Sequence, residues 1–439
     1  MLKTFFSIST NLLCVRFRQF VTLHLIGYQL LPPFIVPMKY MIRRLFFLMM
    51  YTWSVMLALS CSSSSPTPDP ITPPAVQTVN EVRGIWLTNV ASTAMDSRVN
   101  IASAMQLIAA NGFNVVMPVV FNAGWTLYPS QVMQREFGNA IDPRYTGRDV
   151  LAEVIAEARA HGLTVIPWFE YGFAASFGNN GGHIIAKYPR WSAIGTDGRI
   201  VEKNGFVWMN SLDTNVQNFM TSLIMEVVNN YQIDGIQGDD RLPAMPTEAG
   251  YDSATVARYR AETGRIAPTT NTKDAQWVQW RADKLTQYLA RLRQTVKARK
   301  PDVLISMSPS PFPFGLQEYL QDYPAWMNQG LVDMMHPQLY RRDVPSYRTL
   351  VDLMVQQTPA GQRSRLSPGI LMRVGTYNIT TADIIGSIQY NRSLNIPGEI
   401  FFFFEGLRQN NNELGTALRL GPYNRIARFP KDSLLRPIR

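Results

Sequence analysis

Tyr231-Gln-Ile-Asp-Gly-Ile-Gln-Gly-Asp-Asp-Arg241 decides how the rest of the chain is read. A short apolar run, Ile233–Gly238, ends on two adjacent carboxylates and an arginine. Acidic side chains are costly beside a buried strand, so this placement points to work beyond packing. In a parallel barrel, the carboxyl end of a strand is where active sites are assembled.

Working outward, seven more apolar runs read as buried strands: Val82–Asn89, Asn114–Phe121, Leu163–Glu170, Val303–Ser308, Val332–Gln338, Ser367–Arg373 and Glu399–Phe404. They are continuous rather than alternating, as expected when both faces of a strand are covered. Helical patterns lie between them. Val150, Leu151, Val154, Ile155 and Ala158 make one apolar stripe, with Asp149 as N-cap and Gly162 beyond the end. Residues 215–231 and 274–299 repeat the pattern, the latter stopped by Pro301. Eight strand–helix units predict an α/β fold, a (β/α)8 TIM barrel, as a single catalytic domain after an N-terminal signal and tether. Loops leaving strands two, three and four (122–148, 171–214, 239–271) are long, whereas those entering strands are short. One working face is what that asymmetry predicts.

Charge excludes one class of partner. Residues 1–60 carry six bases and no acid, and 419–439 carry six bases and one acid. That leaves a net of −1 on 61–418 out of the formal +10. A nucleic-acid protein would carry its basic excess on the folded body. The two cysteines, Cys14 and Cys61, both precede the body, so thiolate zinc sites are excluded there. No metal or other cofactor is expected.

The N-terminal region reads as export machinery. Met38-Lys-Tyr-Met-Ile-Arg-Arg44 is a basic start, and Leu45–Leu59 is an apolar core too short for a comfortable membrane span. Leu57-Ala-Leu-Ser-Cys61 and a Ser/Pro/Thr-rich stretch follow. Residues 38–60 are thus read as a lipoprotein signal, with Cys61 as lipid attachment, and 61–78 as a tether. An ordinary signal peptide or a single anchor is the plainer alternative. Residues 1–37 are read as lying upstream of the real start. The catalytic body is expected at 79–410, with a basic tail at 411–439. The expected location is the cell envelope, held to a lipid membrane.

The strand ends collect acids, amides and aromatics on one face. They include Trp86 and Asn89; Asn122, Trp125 and Tyr128; Trp168, Glu170 and Tyr171; Asp239, Asp240 and Arg241; Gln338 and Tyr340; and Glu405. Paired carboxylates serve glycoside cleavage, and aromatic planes suit sugar faces. Strand alternation turns one of the two aspartates inward, and Asp239 is the candidate. Glu170 and Glu405 are the candidate second acids. Trp86, Asn89, Trp168, Tyr171, Asp240, Arg241, Gln338 and Tyr340 are candidates for substrate binding. Glu170 could instead be a salt-bridged rim residue. His336 reads as readily as a neutral core histidine, and Asp333, at the opposite strand end, reads as structural.

Several segments carry a family pattern: Glu81-Val-Arg-Gly-Ile-Trp86, Gly147-Arg-Asp-Val-Leu151, Gly162-Leu-Thr-Val-Ile-Pro-Trp168, Asp234-Gly-Ile-Gln-Gly-Asp-Asp240 and Asp333-Met-Met-His-Pro-Gln-Leu-Tyr340. Together they resemble the bacterial glycosyl-hydrolase-like family 10 domain across residues 79–410. The resemblance implies a TIM barrel, glycoside hydrolysis, and cell-wall glycan, peptidoglycan strands or another polysaccharide as substrate. The run to Asp239 also resembles the fourth-strand motif of α-amylase-like barrels, which implies a nucleophile there. That motif's arginine is replaced by Gln237. A non-catalytic glycan-binding lipoprotein is the rival reading. A metal-dependent deacetylase is weakened by the absence of clustered His and Asp ligands.

Overall fold

The computed structural model describes residues 77–436. The upstream start, the signal, Cys61 and nearly all of the tether lie outside those residues. Eight parallel strands follow in order: β1 (Val82–Leu87), β2 (Val115–Pro118), β3 (Thr164–Val165), β4 (Gly235–Gly238), β5 (Leu304–Met307), β6 (Met334–Met335), β7 (Gly369–Leu371) and β8 (Gly398–Phe402). One sheet runs β7-β8-β1-β2-β3 and a second β4-β5-β6. Isolated parallel bridges join the two sheets, Trp168 with Gln237 on one side and Met335 with Leu366 and Gln338 with Gly369 on the other. Every one of the eight strands thus has a parallel partner on both sides. Seven fall inside the expected runs, and β8 begins one residue ahead of its run at Gly398.

Helices return the chain between strands: α1 (Arg98–Ala110), α2 (Val150–Ala160), α3 (Thr214–Asn230), α4 (Ala275–Arg299), α5 (Tyr323–Asn328), α6 (Val344–Gln357) and α7 (Thr381–Ser393). Asp149 caps α2 by accepting from the Ala152 N–H, and Asp274 caps α4 through the Gln276 and Trp277 N–H groups. Each such cap contributes about 1 kcal/mol. The α2 stripe buries Val150, Leu151, Val154 and Ala158. Burial of a Val- or Leu-sized side chain stabilises by about 1.5–3 kcal/mol, so the stripe outweighs the cap.

One device recurs where the chain enters β2, β4 and β6. The Asn114 side chain accepts from the Arg83 peptide N–H of β1. Asp234 does the same for Val165 of β3, and Asp333 for Ile305 of β5. A short polar side chain before three of the strands thus fixes the register of the strand beside each.

The stretch expected as a basic tail continues the body instead. Helix α8 (Glu413–Leu420) buries Leu414 and Leu418, and Tyr423 and Leu434 are also buried. Ile426–Arg428 pairs in parallel with Thr78–Asn80 at the entrance to β1. Lys431 reaches Asp234, and Arg365 donates to the Arg436 carbonyl. Apolar residues spaced among the bases hold this segment down; the charge count alone hides them.

The long loops carry their own core. Ala193, Val201, Trp208, Leu212, Met245 and Tyr319 pack together above the strands, from the chain after β3, β4 and β5. A small antiparallel sheet there joins Ala174–Phe177, Phe206–Trp208 and Glu202–Lys203.

Candidate functional site

Asp239, Asp240 and Arg241 leave the carboxyl end of β4. The inward parity of the strand is visible one step below, where Gln237 accepts from Trp86 Nε1 at 2.6 Å and faces Ser306 Oγ at 3.3 Å. Asp239 repeats that parity and is 1% exposed. Its Oδ2 accepts from Trp168 Nε1 at 3.0 Å and from Arg241 Nη2 at 3.2 Å. Its Oδ1 accepts the Arg241 peptide N–H at 2.9 Å. Gln321, fully buried, donates to the Asp239 carbonyl and fixes the backbone.

Glu170 comes from the end of β3. Its carboxylate lies 3.6 Å from the same Arg241 Nη2, and Arg241 Nε donates to the Glu170 carbonyl at 2.8 Å. Asn122, after β2, donates to the other carboxylate oxygen. The loops meet tightly here. Gly172 has φ +47°, and a Cβ at that position would stand 2.3 Å from the Arg241 carbonyl. Asp240 lies 3.2 Å from Arg241 Nη1. Side-chain exposure ranks the three acids: 1% for Asp239, 16% for Glu170 and 27% for Asp240.

One guanidinium therefore faces three carboxylates. Like charges this close cannot all ionise in a partly desolvated site. Burial pushes Asp239 well above the usual carboxylate range; Arg241 pulls it back, and Asp240 and Glu170 push it further up. Burial also raises Glu170, against the pull of Arg241 and Asn122. The group is built to hold a proton at a pH where free carboxylates have lost theirs.

Aromatic rings wall the group. Trp86 and Trp168 lie 6.2 Å apart, Tyr340 stands edge-on to Trp86 at 6.4 Å, and Tyr340 stacks on Phe402 at 5.2 Å. Tyr171 and Phe206 face the Arg241 guanidinium at 5.8 and 4.8 Å. Burial raises the Tyr340 hydroxyl, and the charges of Asp240 and Asp239 add to it, so this phenol sits within their field.

The structure thus brings together Trp86, Trp168, Glu170, Tyr171, Asp239, Asp240, Arg241 and Tyr340. Gln338 donates to the Ser308 carbonyl at the end of β5. Asn89 is buried with neither amide atom partnered. Glu405 is engaged elsewhere, with Ser92 Oγ at 2.7 Å and Arg408 at 3.2 Å. None of its bonds reaches the Arg241 group, because its short helix turns it toward the loop after β1. His336 is fully buried, its Nδ1 on the Ser367 carbonyl, and burial lowers it to about 4. It is a neutral core histidine. Sequence reasoning missed Gln321, Phe206, Phe402 and Tyr319. Phe402 lies inside the expected strand Glu399–Phe404, whereas the other three lie in the long segments after β3 and β5, in or beside elements too short to show a period. Among the described residues, no cluster of His, Cys, Asp and Glu has the spacing to hold a metal.

Comparison with known proteins identifies the family. The family model described as glycosyl hydrolase-like 10 matches residues 81–389. The glycosyl hydrolase DigH of Escherichia coli strain CFT073 is 26% identical over 332 residues, covering 65% of this chain and 73% of its own. The glycosyl hydrolase YngK of Bacillus subtilis is 23% identical over 352 residues, covering 76% of this chain and 62% of its own. Among solved structures, the PgaB (BpsB) glycoside hydrolase domain from Bordetella bronchiseptica matches with TM-score 0.58 at 13% identity, covering 77% of this chain and 99% of that one. The catalytic domain of β-amylase from Paenibacillus polymyxa matches with TM-score 0.57 at 11% identity, covering 82% and 100%. These two likenesses speak to fold alone. The matched span runs from β1 past β7 and contains Trp86, Trp168, Glu170, the Asp239–Arg241 turn and Tyr340, and the chain belongs to the glycosyl hydrolase-like 10 family.

Proposed function

We propose that this protein is a glycoside hydrolase working by two carboxylates at the open end of a (β/α)8 barrel. The cycle of eight parallel pairings supports the barrel. The observation that carries the function is the single Arg241 nitrogen shared by Asp239 and Glu170, at 3.2 and 3.6 Å. It brings two acids from distant stretches of chain into one aromatic cleft.

Asp239 and Glu170 share one proton, which in the reacting pair sits on Glu170, the more exposed acid, and passes to the leaving oxygen. Asp239, held by three N–H donors, is the anionic partner that meets the anomeric carbon. The two nearest oxygens are no further apart than the two Arg241 distances laid end to end. That limit admits both a retaining and an inverting separation of the two carboxyl groups. Trp86, Trp168, Tyr171 and Tyr340 offer faces to sugar rings, and Gln338 and Asp240 offer partners for hydroxyls. The substrate class is cell-wall glycan or another polysaccharide.

A second assignment has one observation in its favour. Asp240 presents more of its carboxyl to solvent than Asp239 does. In that version Asp240 meets the sugar and Asp239 only orders Arg241. The rival class, a glycan binder without turnover, has no use for a proton-holding acid pair.

The test uses the chain from Pro74 onward, which forms one compact unit. It is incubated with polysaccharides and peptidoglycan strands beside Asp239→Asn and Asp240→Asn. New reducing ends from the parent and from Asp240→Asn, but not from Asp239→Asn, are expected. The reverse pattern transfers the role to Asp240, and none from the parent removes the hydrolase reading. We also propose export and lipid attachment at Cys61, from the order of basic start, apolar core and cysteine. Palmitate labelling should vanish in Cys61→Ala, and surviving label overturns the anchor.

A further inference from the structure

Ten large apolar side chains are exposed among the described residues, and the two aromatic ones are Phe177 (63%) and Phe314 (52%). Both lie on loops that leave the carboxyl ends of strands, Phe177 after β3 and Phe314 after β5. An exposed ring is common by itself. These two are joined to the acid group through other rings. Phe177 meets Phe206 at 5.2 Å, and Phe206 meets Tyr171 at 5.5 Å and the Arg241 guanidinium at 4.8 Å. Phe314 meets Tyr319 at 6.1 Å, and Tyr319 meets Trp208 at 5.8 Å. Phe206 and Trp208 share one short strand and one face of it. The rings therefore form a ridge of two arms, Tyr171–Phe206–Phe177 leading out from Arg241 and Tyr319–Phe314 leading out from the field of Asp240, and each arm ends in solvent.

The ridge is held rigid. Phe177 ends a strand paired with Phe206, and its ring lies over Gly205, where a Cβ would come within 2.6 Å of it. Phe314 opens a short helix whose Gly315 packs on the Ser310 carbonyl. Polar groups flank the rings: Asn204 donates to the Tyr319 hydroxyl, and Lys203 binds Glu248 and Glu318. Fixed aromatic planes bordered by hydrogen-bonding groups suit a polar ring with an apolar face.

We propose that Phe177 and Phe314 are outer stacking platforms for an extended glycan chain, so that the site takes several sugar units beyond the bond that is cut. This rests on the glycan reading of the Arg241 group and adds the length of its ligand. The occupant follows from continuity, since each arm of the ridge begins beside the candidate acids and ends in an exposed ring.

The experiment compares the full chain with Phe177→Ala, Phe314→Ala and the double variant. Each is given a long polysaccharide and its two- or three-unit fragment. KM on the long chain should rise about 2- to 10-fold per lost ring, the span that about 0.5–1.5 kcal/mol converts to. The kcat and the kinetics on the fragment should not move, and Phe→Trp should restore the long-chain KM. Equal loss on both substrates, or no loss on the long one, overturns the proposal. Retardation in gels containing the polysaccharide reads binding without turnover. Weaker retardation of the alanine variants supports the platforms even where no cleavage is seen, which separates this claim from the hydrolase reading. A parent retarded by no glycan overturns it. A drop in oligomeric mass with unchanged retardation assigns the rings to self-contact and also overturns it.

Discussion

The two ends of the strands solve opposite charge problems. At the entrance end, one carboxylate, Asp333, meets three cations: Arg293 at 3.0 Å, Lys297 at 2.8 Å and Arg365 at 3.4 Å. At the exit end, one cation, Arg241, meets three carboxylates. Both groups are buried or nearly so, and both are dense with hydrogen bonds. The first leaves its acid fully matched and anchored to a β5 peptide. The second leaves acids in excess, and the excess is chemistry in waiting. A ratio of charges, more than burial or bond count, separates the end that holds the fold from the end proposed to act.

The sharpest way to break this contrast is to remove one acid from each end. Glu170→Gln should lower kcat by about 10²–10⁴-fold with little change in melting temperature. A purified variant that keeps near-parent turnover removes Glu170 from the chemistry. Asp333→Asn should do the reverse. It leaves three cations facing each other without their anion, a loss of about 3 kcal/mol where such partners are buried. Calorimetry should show the melt fall by several degrees, and kcat of the folded protein should hold. A thermal curve unchanged by this substitution would falsify the structural assignment.

Arg241→Gln tests the exit group from its other side. Without the cation, Glu170 loses the pull that opposes burial, so its proton affinity rises further. The alkaline limb of the pH–rate profile should move upward by about 1–2 pH units. A limb that moves down, or stays, sinks the account of Arg241 as the group that restrains the acids.

Glu399 sharpens the comparison, because it is the exception at the entrance end. It is 1% exposed, accepts from Tyr423 at 2.6 Å, and burial raises it to about 7. A carboxyl raised in the folded state is protonated in both states at low pH. Between the usual carboxylate range and pH 7 only the unfolded chain ionises, so stability falls as pH rises. The cost reaches about 3 kcal/mol above pH 7, at 1.36 kcal/mol per unit. Glu399→Gln should flatten that part of the stability curve. Denaturant midpoints at pH 5 and pH 8 that shift equally in parent and variant would refute it.

Much of the architecture was legible because strands buried on both faces must be apolar throughout. β1, β4 and β5 could be read from Val82–Leu87, Gly235–Gly238 and Leu304–Met307 alone. Asp149 and Asp274 announced their helices by cap chemistry. The site was legible where it sits within five residues past a strand, as with Trp168, Glu170, Asp239 and Tyr340. Phe206, Tyr319 and Gln321 were not, because long loops have no period and their partners lie far along the chain. Glu405 shows the same limit. A strand-end position fixes which end a residue occupies, but a short helix turned its side chain toward Ser92. The basic count after 419 hid Leu434 and the Ile426–Arg428 strand.

That last strand has a consequence for how the molecule can be mounted. Thr78–Asn80 and Ile426–Arg428 run side by side where the chain enters β1. The polypeptide thus arrives and departs at the end away from Arg241. A partner fused ahead of residue 77 would therefore join the body at the end of the strands away from the candidate acids.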